Sequence, residues 1–385
     1  MQKEKKMQFP ESGKITILQV SDPQDLHRVR SVMLRMLDKA YDEVQPDLVV
    51  FTGDNILGNH VDDAPIGPWK NTDKKRTGRH IGKALDHILD PLDARQIPYC
   101  MVYGNHDDRN TLTKQEQAEY YLRHEYFFGL NSTDTDVECD TYNVPIYDSK
   151  GEKIVFNLWL IDSAGAGDEN GEGAFVGVKP ETVAWYRRTS DALKAQNGGK
   201  PVPSLMFQHV PVKEVETLFV PCNKKEKGAV SGPDGQYYRL DPDRTRGFAG
   251  EYPCCCEIES GELEAIREQG DVCALVFGHD HLNCFCADIG GVPILQTPGA
   301  SFRSYGDRRS RGVRVFEIDE NDPQHFDTYV LSYYDLMGKT PYAAADYIMG
   351  ADNTEVVRDI VWAAGAVTGT VLAAKAVKKY IKRRR

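Results

Sequence analysis

Short apolar runs alternate along the chain with segments in which apolar residues recur every three or four positions. The runs at residues 14–20, 47–53, 97–104, 153–162, 203–209 and 272–278 predict buried strands. Helical spacing at residues 30–44, 82–92, 179–195 and 260–270 predicts helices between them. Such alternation indicates an α/β fold. Further apolar runs at residues 292–297, 312–318 and 326–333 indicate strands that complete a sheet.

Two stretches, residues 57–79 and 223–253, interrupt this pattern and are rich in Gly, Pro, Asp and Lys. We expect them to be loops or insertions. Long loops beside strand ends are common places for substrate selection.

The C-terminal segment has its own pattern. Residues 360–374 are apolar or small, and residues 375–385 carry seven basic side chains. A fifteen-residue helix is about 22 Å long, shorter than the roughly 30 Å hydrocarbon core of a bilayer. A helix that lies on a membrane surface or packs against protein is therefore favoured over a membrane span. Residues 360–385 are a candidate for peripheral membrane contact.

Charge and the N-terminal sequence limit the class of protein. The formal net charge of −11 argues against general nucleic-acid binding, because phosphate-binding surfaces are normally basic. The first residues contain no apolar segment of the kind that a secretory signal requires. Together with nine cysteines, this favours free thiols in a reducing compartment and a cytoplasmic location.

Polar side chains follow five of the predicted strands at the points where the strands end. Each block alone is ordinary turn chemistry. In open α/β sheets, however, ligands collect outside the carboxyl ends of the strands, so five such blocks are expected to meet at one rim. The blocks supply Asp22 and Gln24 (SDPQD), Asp54 (TGDN), Asn105 and His106 (YGNHDD), His209 (FQHVP), and His279 and His281 (GHDH).

This mixture of carboxylate, amide and imidazole suits two-metal hydrolysis with Mn, Fe or Zn. Two cations about 3.5–4 Å apart can clamp the attacking and leaving oxygens and lower the pKa of a bridging water. One carboxylate must bridge, since it has two oxygens. His279 and His281 can each address a different ion, while Asp280 between them points aside as a turn residue or a partner of a ligand.

The ordered blocks SDPQ, GDN, GNHDD, QH and GHDH resemble the calcineurin-like metallophosphoesterase superfamily over residues 15–316. Residues 162–186 and 278–306 resemble its branch related to purple acid phosphatases. The resemblance implies an α/β fold arranged as a four-layer α/β/β/α sandwich, with a dinuclear metal site at the strand ends. It places the domain at residues 14–335, between an N-terminal extension at 1–13 and a C-terminal extension at 336–385.

The resemblance also assigns roles to the strand-end residues. His106 would be a general acid or a transition-state stabiliser, oriented by Asp107 or another carboxylate. The first metal would be held by Asp22, Gln24, Asp54 and His281, and the second by Asp54, Asn105, His209 and His279, with Asp54 as the bridge.

Two positions depart from the family pattern. The first motif is usually Asp-x-His, and here Gln24 takes the place of the histidine. A glutamine carbonyl is a neutral and generally weaker ligand, so either Gln24 still binds or the first site has altered metal preference or weak affinity. Leu57 stands where the resemblance to purple enzymes places a tyrosine ligand, so a coloured iron–tyrosinate centre is not expected.

The resulting hypothesis is hydrolysis of a phosphate ester by a metal-bridging hydroxide in line with the leaving group. His106 would assist departure of the leaving oxygen, and Arg303 and Tyr305 are candidate substrate-binding residues. Arg308, Arg309 and Arg311 follow in the same loop, for which a solvated basic loop is the competing interpretation. Monoester and diester substrates both remain open. The alternatives are a non-catalytic scaffold of the same fold, and a nuclease or cyclic-nucleotide phosphodiesterase with the same metal chemistry.

Overall fold

The computed structural model describes residues 6–58, 73–130, 134–163 and 174–351. The segment 360–385, for which membrane contact is predicted, lies outside the described residues. Within the described ranges, no helix has both the length and the apolar character needed to cross a membrane.

Sixteen strands and seven α-helices make up the described fold. The strands are β1 (Met7–Gln8), β2 (Lys14–Val20), β3 (Leu48–Thr52), β4 (Tyr99–Val102), β5 (Tyr142–Tyr147), β6 (Ile154–Leu160), β7 (Ser204–Phe207), β8 (Phe219–Pro221), β9 (Val230–Ser231), β10 (Tyr237–Leu240), β11 (Thr245–Phe248), β12 (Val272–Phe277), β13 (Cys284–Ile289), β14 (Val292–Gln296), β15 (Gly312–Asp319) and β16 (Phe326–Ser332). The helices are α1 (Ser31–Val44), α2 (Lys74–Arg95), α3 (Lys114–Leu122), α4 (Pro180–Gln196), α5 (Glu262–Gln269), α6 (Tyr333–Met337) and α7 (Pro341–Gly350), and a 3-10 helix covers Lys213–Leu218.

Two large sheets form the centre of the molecule. The five-stranded sheet has the order β16-β15-β2-β3-β4, and the eight-stranded sheet has the order β1-β5-β6-β7-β12-β14-β13-β11. β2, β3 and β4 are parallel to one another, as are β6, β7 and β12. Their carboxyl ends are therefore available to form one rim.

The alternation of side chains along each strand produces the layers, because successive residues point to opposite faces of a sheet. In β3, Leu48 and Val50 face the core between the two sheets, whereas Val49 and Phe51 face α1 and α2. In β12, Val276 faces the core between the sheets and Leu275 faces α4 and α5. The order is thus helix, sheet, sheet, helix, which confirms the predicted four-layer α/β/β/α sandwich.

Two predicted loops contain regular structure. The expectation of a loop at residues 57–79 is wrong for its last six residues, because α2 begins at Lys74, where the Asp73 side chain caps the helix by accepting a hydrogen bond from the Lys75 backbone N–H. The segment 223–253 holds β9, β10 and β11. β9 and β10 form a small sheet with β8, and β11 extends the edge of the eight-stranded sheet beside β13.

Both ends of the described chain pack on the sandwich. β1 pairs with β5 in the eight-stranded sheet. Ala343 and Tyr347 of α7 are buried in the core that α1 and α2 form with the five-stranded sheet. The domain boundaries at residues 14 and 335 stay a prediction, and the packed structure extends to elements on both sides of them.

Candidate dinuclear metal centre

The strand-end residues meet at one rim of the sandwich. Asp22, Asp54 and Asn105 follow strands of the five-stranded sheet, and His209 and His279 follow strands of the eight-stranded sheet. The structure brings together all seven candidate ligands, and six of them are at most 5 % exposed: Asp22, Gln24, Asp54, Asn105, His209 and His281.

The backbone at these positions is conformationally unusual. Asp22, Gln24, Asp54 and His279 have φ values of 50°, 29°, 47° and 71°, in the left-handed region that non-glycine residues rarely adopt. Each such residue costs on the order of 1–3 kcal/mol, and such strain concentrates at functional sites. Four of the seven candidate ligands have this strained backbone conformation. The fold therefore holds them in place although non-glycine residues disfavour positive φ.

Close approach explains two of the glycines in the motifs. A Cβ atom on Gly53 would lie 2.5 Å from His209 Nδ1. A Cβ atom on Gly104 would overlap the backbone nitrogen of Asp54 and lie 2.8 Å from His209 Nε2. The turns after β3 and β4 therefore need glycine so that Asp54 and His209 can approach each other.

The first group of candidate ligands surrounds Asp22. His281 Nε2 lies 3.4 Å from Asp22 Oδ1. The His281 Nδ1–H donates to the Tyr305 carbonyl at 2.8 Å, which leaves Nε2 facing the carboxylate. Gln24 Nε2 donates to Asp54 Oδ2 at 3.0 Å. Asp22, Asp54 and His281 each offer an atom within 4.8 Å of the others, a spacing that one metal ion could span.

The second group surrounds His209. Its Nδ1–H donates to the Thr52 carbonyl at 2.9 Å, so Nε2 faces the centre. Around this nitrogen lie Asn105 Oδ1 at 3.0 Å, His279 Nδ1 at 3.2 Å and Asp54 Oδ1 at 3.4 Å. Asp54 thus contacts both groups through different oxygens, the arrangement expected of a bridging carboxylate.

Several buried atoms of the centre lack the partners that burial demands. Asp22 Oδ1 and Gln24 Oε1 are inaccessible to solvent and have no hydrogen-bond partner within the described ranges. A buried acceptor without a partner costs about 1–3 kcal/mol, and more when it is charged. Oxygen and nitrogen ligands in this mixture suit Mn, Fe or Zn. The residues present therefore fit two metal ions, with Gln24 Oε1 among the atoms that an ion would satisfy.

Burial and mutual charge determine the protonation of the carboxylates. Burial, followed by the negative charge of Asp22, raises the pKa of Asp54 well above its usual value. Burial also raises the pKa of Asp22, but the charges of His281 and His209 and the hydrogen bonds from His281 and Ser21 together outweigh burial and hold that pKa below the usual range. For His281, burial lowers the pKa and Asp22 raises it, with a result of about 9. The centre therefore attracts positive charge.

Burial keeps the rings of His279 and His106 neutral. Burial, and then the charge of His209, lowers the pKa of His279 well below its usual value. Burial, and then the charge of Arg109, lowers the pKa of His106 to about 3. Neutral imidazoles have the lone pairs that metal ligands require.

His106 lies at the mouth of the centre. Its Nε2 is 3.9 Å from Asp54 Oδ2, and its backbone N–H donates to Asp54 Oδ1 at 2.8 Å. Orientation of His106 by Asp107 or another carboxylate stays a prediction. Asp107 accepts hydrogen bonds from the backbone N–H groups of Asn55, Ile56 and Gly104 at 2.8–3.1 Å. It joins the turns after β3 and β4 and thereby fixes their positions.

The loop that carries the GHDH motif is held by contacts with residues 250–254. Asp280 accepts from the Cys254 backbone N–H at 3.0 Å and from Asn283 Nδ2 at 3.2 Å, so it points aside from the centre. Glu251 Oε1 accepts from the Leu282 N–H at 2.8 Å. Residues 250–254 thus fix the loop that carries His279 and His281.

The two candidate substrate-binding residues already have structural partners. Arg303 Nε pairs with Asp25, and its Nη2 donates to the Arg28 carbonyl at 2.6 Å. The Tyr305 ring stacks on the His281 ring with centroids 4.4 Å apart, and its side chain is 46 % exposed. Substrate binding by Arg303 and Tyr305 stays a prediction.

The neighbouring arginines serve the fold. Arg309 pairs with Asp307. Arg311 is fully buried, and its Nε donates to the Tyr347 hydroxyl at 2.9 Å. These contacts support a structural interpretation of that loop.

Sequence reasoning missed two residues that lie beside the assigned ones. The Ser21 hydroxyl donates to Asp22 Oδ2, and the sequence signal was its position at the head of the SDPQ block. Arg109 follows the GNHDD block, and its Nε is shielded from solvent without a hydrogen-bond partner in the described part of the chain. Its charge acts on both Asp54 and His106.

Comparison with known proteins defines the class. Residues 15–283 match the family model described as Calcineurin-like phosphoesterase, which covers more than half of the chain. The chain belongs to this family, and the resemblance stated from its motifs is confirmed.

Curated relatives carry phosphatase names. "Probable inactive purple acid phosphatase 29" of Arabidopsis thaliana is 25 % identical over 348 residues, with 82 % of this chain and 80 % of that protein covered. "Phosphatase DCR2" of Saccharomyces cerevisiae is 34 % identical over 307 residues, which cover 74 % of this chain but 46 % of that protein. A solved dimetal phosphatase from Danio rerio is 15 % identical with a TM-score of 0.44, and covers 83 % of this chain and 99 % of that one.

Proposed function

We propose that this protein hydrolyses a phosphate ester at a dinuclear metal centre. The observation that carries the proposal is the meeting of two ligand groups at Asp54, with buried acceptors Asp22 Oδ1 and Gln24 Oε1 left without hydrogen-bond partners. Buried polar groups are normally satisfied, and a bound cation would satisfy both atoms.

Each side chain has a defined task in this proposal. Asp54 would hold both ions, and the remaining residues would hold one ion each: Asp22, Gln24 and His281 at the first position, and Asn105, His209 and His279 at the second. When bound, the two ions supply a water of lowered pKa and neutralise charge on the phosphate.

The residues at the mouth act on the substrate. The low pKa of His106 makes its ring neutral at pH 7, and a neutral imidazole N–H donates a hydrogen bond to the leaving oxygen. The Arg109 guanidinium pairs with a non-bridging phosphate oxygen, since charge-assisted hydrogen bonds of arginine suit phosphate. The strained positions of Asp22, Asp54 and His279 keep the ligands in place before the substrate arrives.

A scaffold without catalysis is the second candidate, because three curated relatives are named as probable inactive purple acid phosphatases. In this chain the seven candidate ligands and His106 are all present and meet at one rim. Among these eight residues, only Gln24 departs from the family pattern. These residues favour hydrolysis over the scaffold.

The ester class is tested by rates on an aryl phosphate monoester, an aryl phosphate diester and single-stranded DNA, using protein reconstituted with Mn, Fe or Zn. We expect hydrolysis of at least one aryl ester and none of the DNA, given the net charge of −11. Cleavage of the DNA at a comparable rate would favour the nuclease. Protein that carries two ions at this centre and hydrolyses none of the three would favour the scaffold.

We also propose that residues 360–385 contact membranes from the cytoplasmic side. The apolar run and the seven basic residues that follow support this. Co-sedimentation with anionic vesicles, compared with a variant whose basic residues at 375–385 are replaced by glutamine, tests it. Equal sedimentation of both proteins, or of neither, would count against membrane contact.

A further inference from the structure

A second group of metal-binding side chains lies at the other end of the five-stranded sheet. The dinuclear centre follows the end of β4, whereas His124 packs against Tyr99 at the start of β4. We propose that Asp86, Asp90 and His124 form a separate site for one divalent transition-metal ion, with zinc as the probe.

His124 has the orientation of a metal ligand. Its side chain is only 5 % exposed. Nδ1 lies 2.7 Å from Asp93 Oδ2, and Asp93 Oδ1 accepts from the Tyr99 hydroxyl at 3.1 Å and the Tyr126 backbone N–H at 3.3 Å. Asp93 therefore acts as an acceptor throughout, and the proton of the imidazole lies on Nδ1. A carboxylate behind a histidine in this way fixes the tautomer of metal-binding histidines.

The opposite nitrogen, Nε2, faces Asp86, whereas Asp90 Oδ1 lies 3.9 Å from Nδ1. His124 Nε2 is buried without a hydrogen-bond partner in the described ranges, and it lies 3.5 Å from Asp86 Oδ1. A lone pair facing a carboxylate oxygen is unfavourable unless a positive charge lies between them. This orphaned nitrogen is the observation that separates the group from an ordinary acidic cluster.

The two carboxylates come from one face of α2. Asp86 and Asp90 are four residues apart, so they are neighbours on the helix surface. One atom each from Asp86, Asp90 and His124 lies within 4.8 Å of the others. One imidazole and two carboxylates suit zinc, with water completing the coordination.

Arg123 is the competing cation. Its Nη2 pairs with Asp86, with side chains 43 % and 40 % exposed. Exposed ion pairs contribute little to stability, so a divalent ion can displace the arginine. The rival interpretation is an ion-pair network in which a protonated His124 bridges Asp93 and Asp86. In that network Arg123 supplies positive charge to Asp86, and no zinc ion is bound.

The test is the number of zinc ions per chain and the affinity of the weakest site, in the full-length protein and four variants. His124→Gln should carry one zinc fewer than wild type and keep its rate of ester hydrolysis. Asp90→Asn, at a largely exposed position, should bind that zinc at least about tenfold more weakly. Arg123→Ala should bind it more tightly, because the competitor is gone.

His325→Gln is the matched control. His325 also lies 2.9 Å from an aspartate, Asp322, but its side chain is 81 % exposed and it has no place in a metal-binding group of the described chain. Its zinc content should equal that of wild type. An unchanged zinc number in His124→Gln, or unchanged affinity in both Asp90→Asn and Arg123→Ala, would overturn the site. The test measures the difference in zinc content between His124→Gln and wild type. That difference would still be one ion if the dinuclear centre bound no zinc in either protein.

Discussion

Asp54 is the residue that contacts both ligand groups of the centre. One of its oxygens accepts from Gln24 Nε2 at 3.0 Å, and the other lies 3.4 Å from His209 Nε2. Burial and the neighbouring Asp22 make its ionised form costly without a nearby cation. The centre therefore depends on this carboxylate more than on any single imidazole.

Gln24 is expected to weaken zinc binding at the first position. Replacing Gln24 with His should raise zinc affinity by roughly tenfold or more, because imidazole suits zinc better than a neutral carbonyl oxygen. Competition with a chromophoric chelator measures the change, and Gln24→Ala, which lacks a ligand, is the control. Equal affinity in all three proteins would show that residue 24 is no ligand.

Glu262 makes stability depend on pH at a distance from the metals. It is 3 % exposed at the start of α5, and neither carboxylate oxygen has a hydrogen-bond partner in the described residues. Burial, which outweighs the opposing contact with Gln208, raises the pKa of Glu262 to about 8. The folded protein therefore holds a proton that the unfolded chain has released above its ordinary pKa of 4.5. The contribution of Glu262 to the free energy of unfolding must fall as pH rises from 4.5 to 8, by up to about 1.4 kcal/mol per pH unit.

Glu262→Gln should remove this dependence. Its free energy of unfolding relative to wild type should increase between pH 5 and pH 8 and then level off, as urea denaturation at a series of pH values would show. Glu264→Gln, on the exposed side of the same helix, is the control and should follow wild type. Parallel curves for Glu262→Gln and wild type would contradict a proton held at this position.

The residue types of the centre were predictable because each follows an apolar run, and a run that stops at glycine marks a strand end. The groups that orient these residues were less predictable from the sequence. The Thr52 and Tyr305 carbonyls that orient His209 and His281 are backbone atoms and leave no sequence signal. Glu251 lay in a stretch expected to be an insertion, and only its contact with Leu282 reveals its role.

At the scale of elements, the turns after β3 and β4 place the ligands, and Asp107 joins the two turns. The sequence predicted these strands well, since buried parallel strands are continuous apolar runs. It missed the start of α2, because the helix begins in a polar, lysine-rich stretch where the Asp73 cap outweighs the lack of apolar spacing. It also missed β9 to β11, which are short and lie at or near sheet edges.

Gly104 offers a test of the turn after β4. Gly104→Ala should destabilise the protein by about 3 kcal/mol or more and lower its metal content, because the new Cβ overlaps Asp54 and approaches His209. Thermal unfolding and metal analysis measure both effects. Gly198→Ala is the control, since Gly198 has φ of 65° and no atoms within 4 Å of the added Cβ. Gly198→Ala should lower the free energy of unfolding by only about 1–2 kcal/mol through backbone strain, and its metal content should equal that of wild type. If Gly104→Ala kept the metal content of wild type, the close approach of Asp54 and His209 around Gly104 would not be needed to hold the metals.

At the scale of the whole molecule, two sheets from distant parts of the chain supply the two ligand groups. Asp22 and His281 are separated by more than 250 residues yet lie 3.4 Å apart at Oδ1 and Nε2. Periodicity identifies strands but not which strands are neighbours. The order β16-β15-β2 in one sheet and the antiparallel edge strands of the other were therefore beyond prediction from pattern, and only the family resemblance supplied the layers.

The most direct test of the account is ester hydrolysis measured against metal added to metal-free protein, in wild type and in Asp54→Asn. For wild type, the account predicts that hydrolysis of an aryl phosphate ester rises until the dinuclear centre holds two ions. For Asp54→Asn, it predicts loss of ions from that centre and a rate lower by roughly a thousandfold or more. Hydrolysis by the metal-free protein, or a full rate in Asp54→Asn, would contradict it.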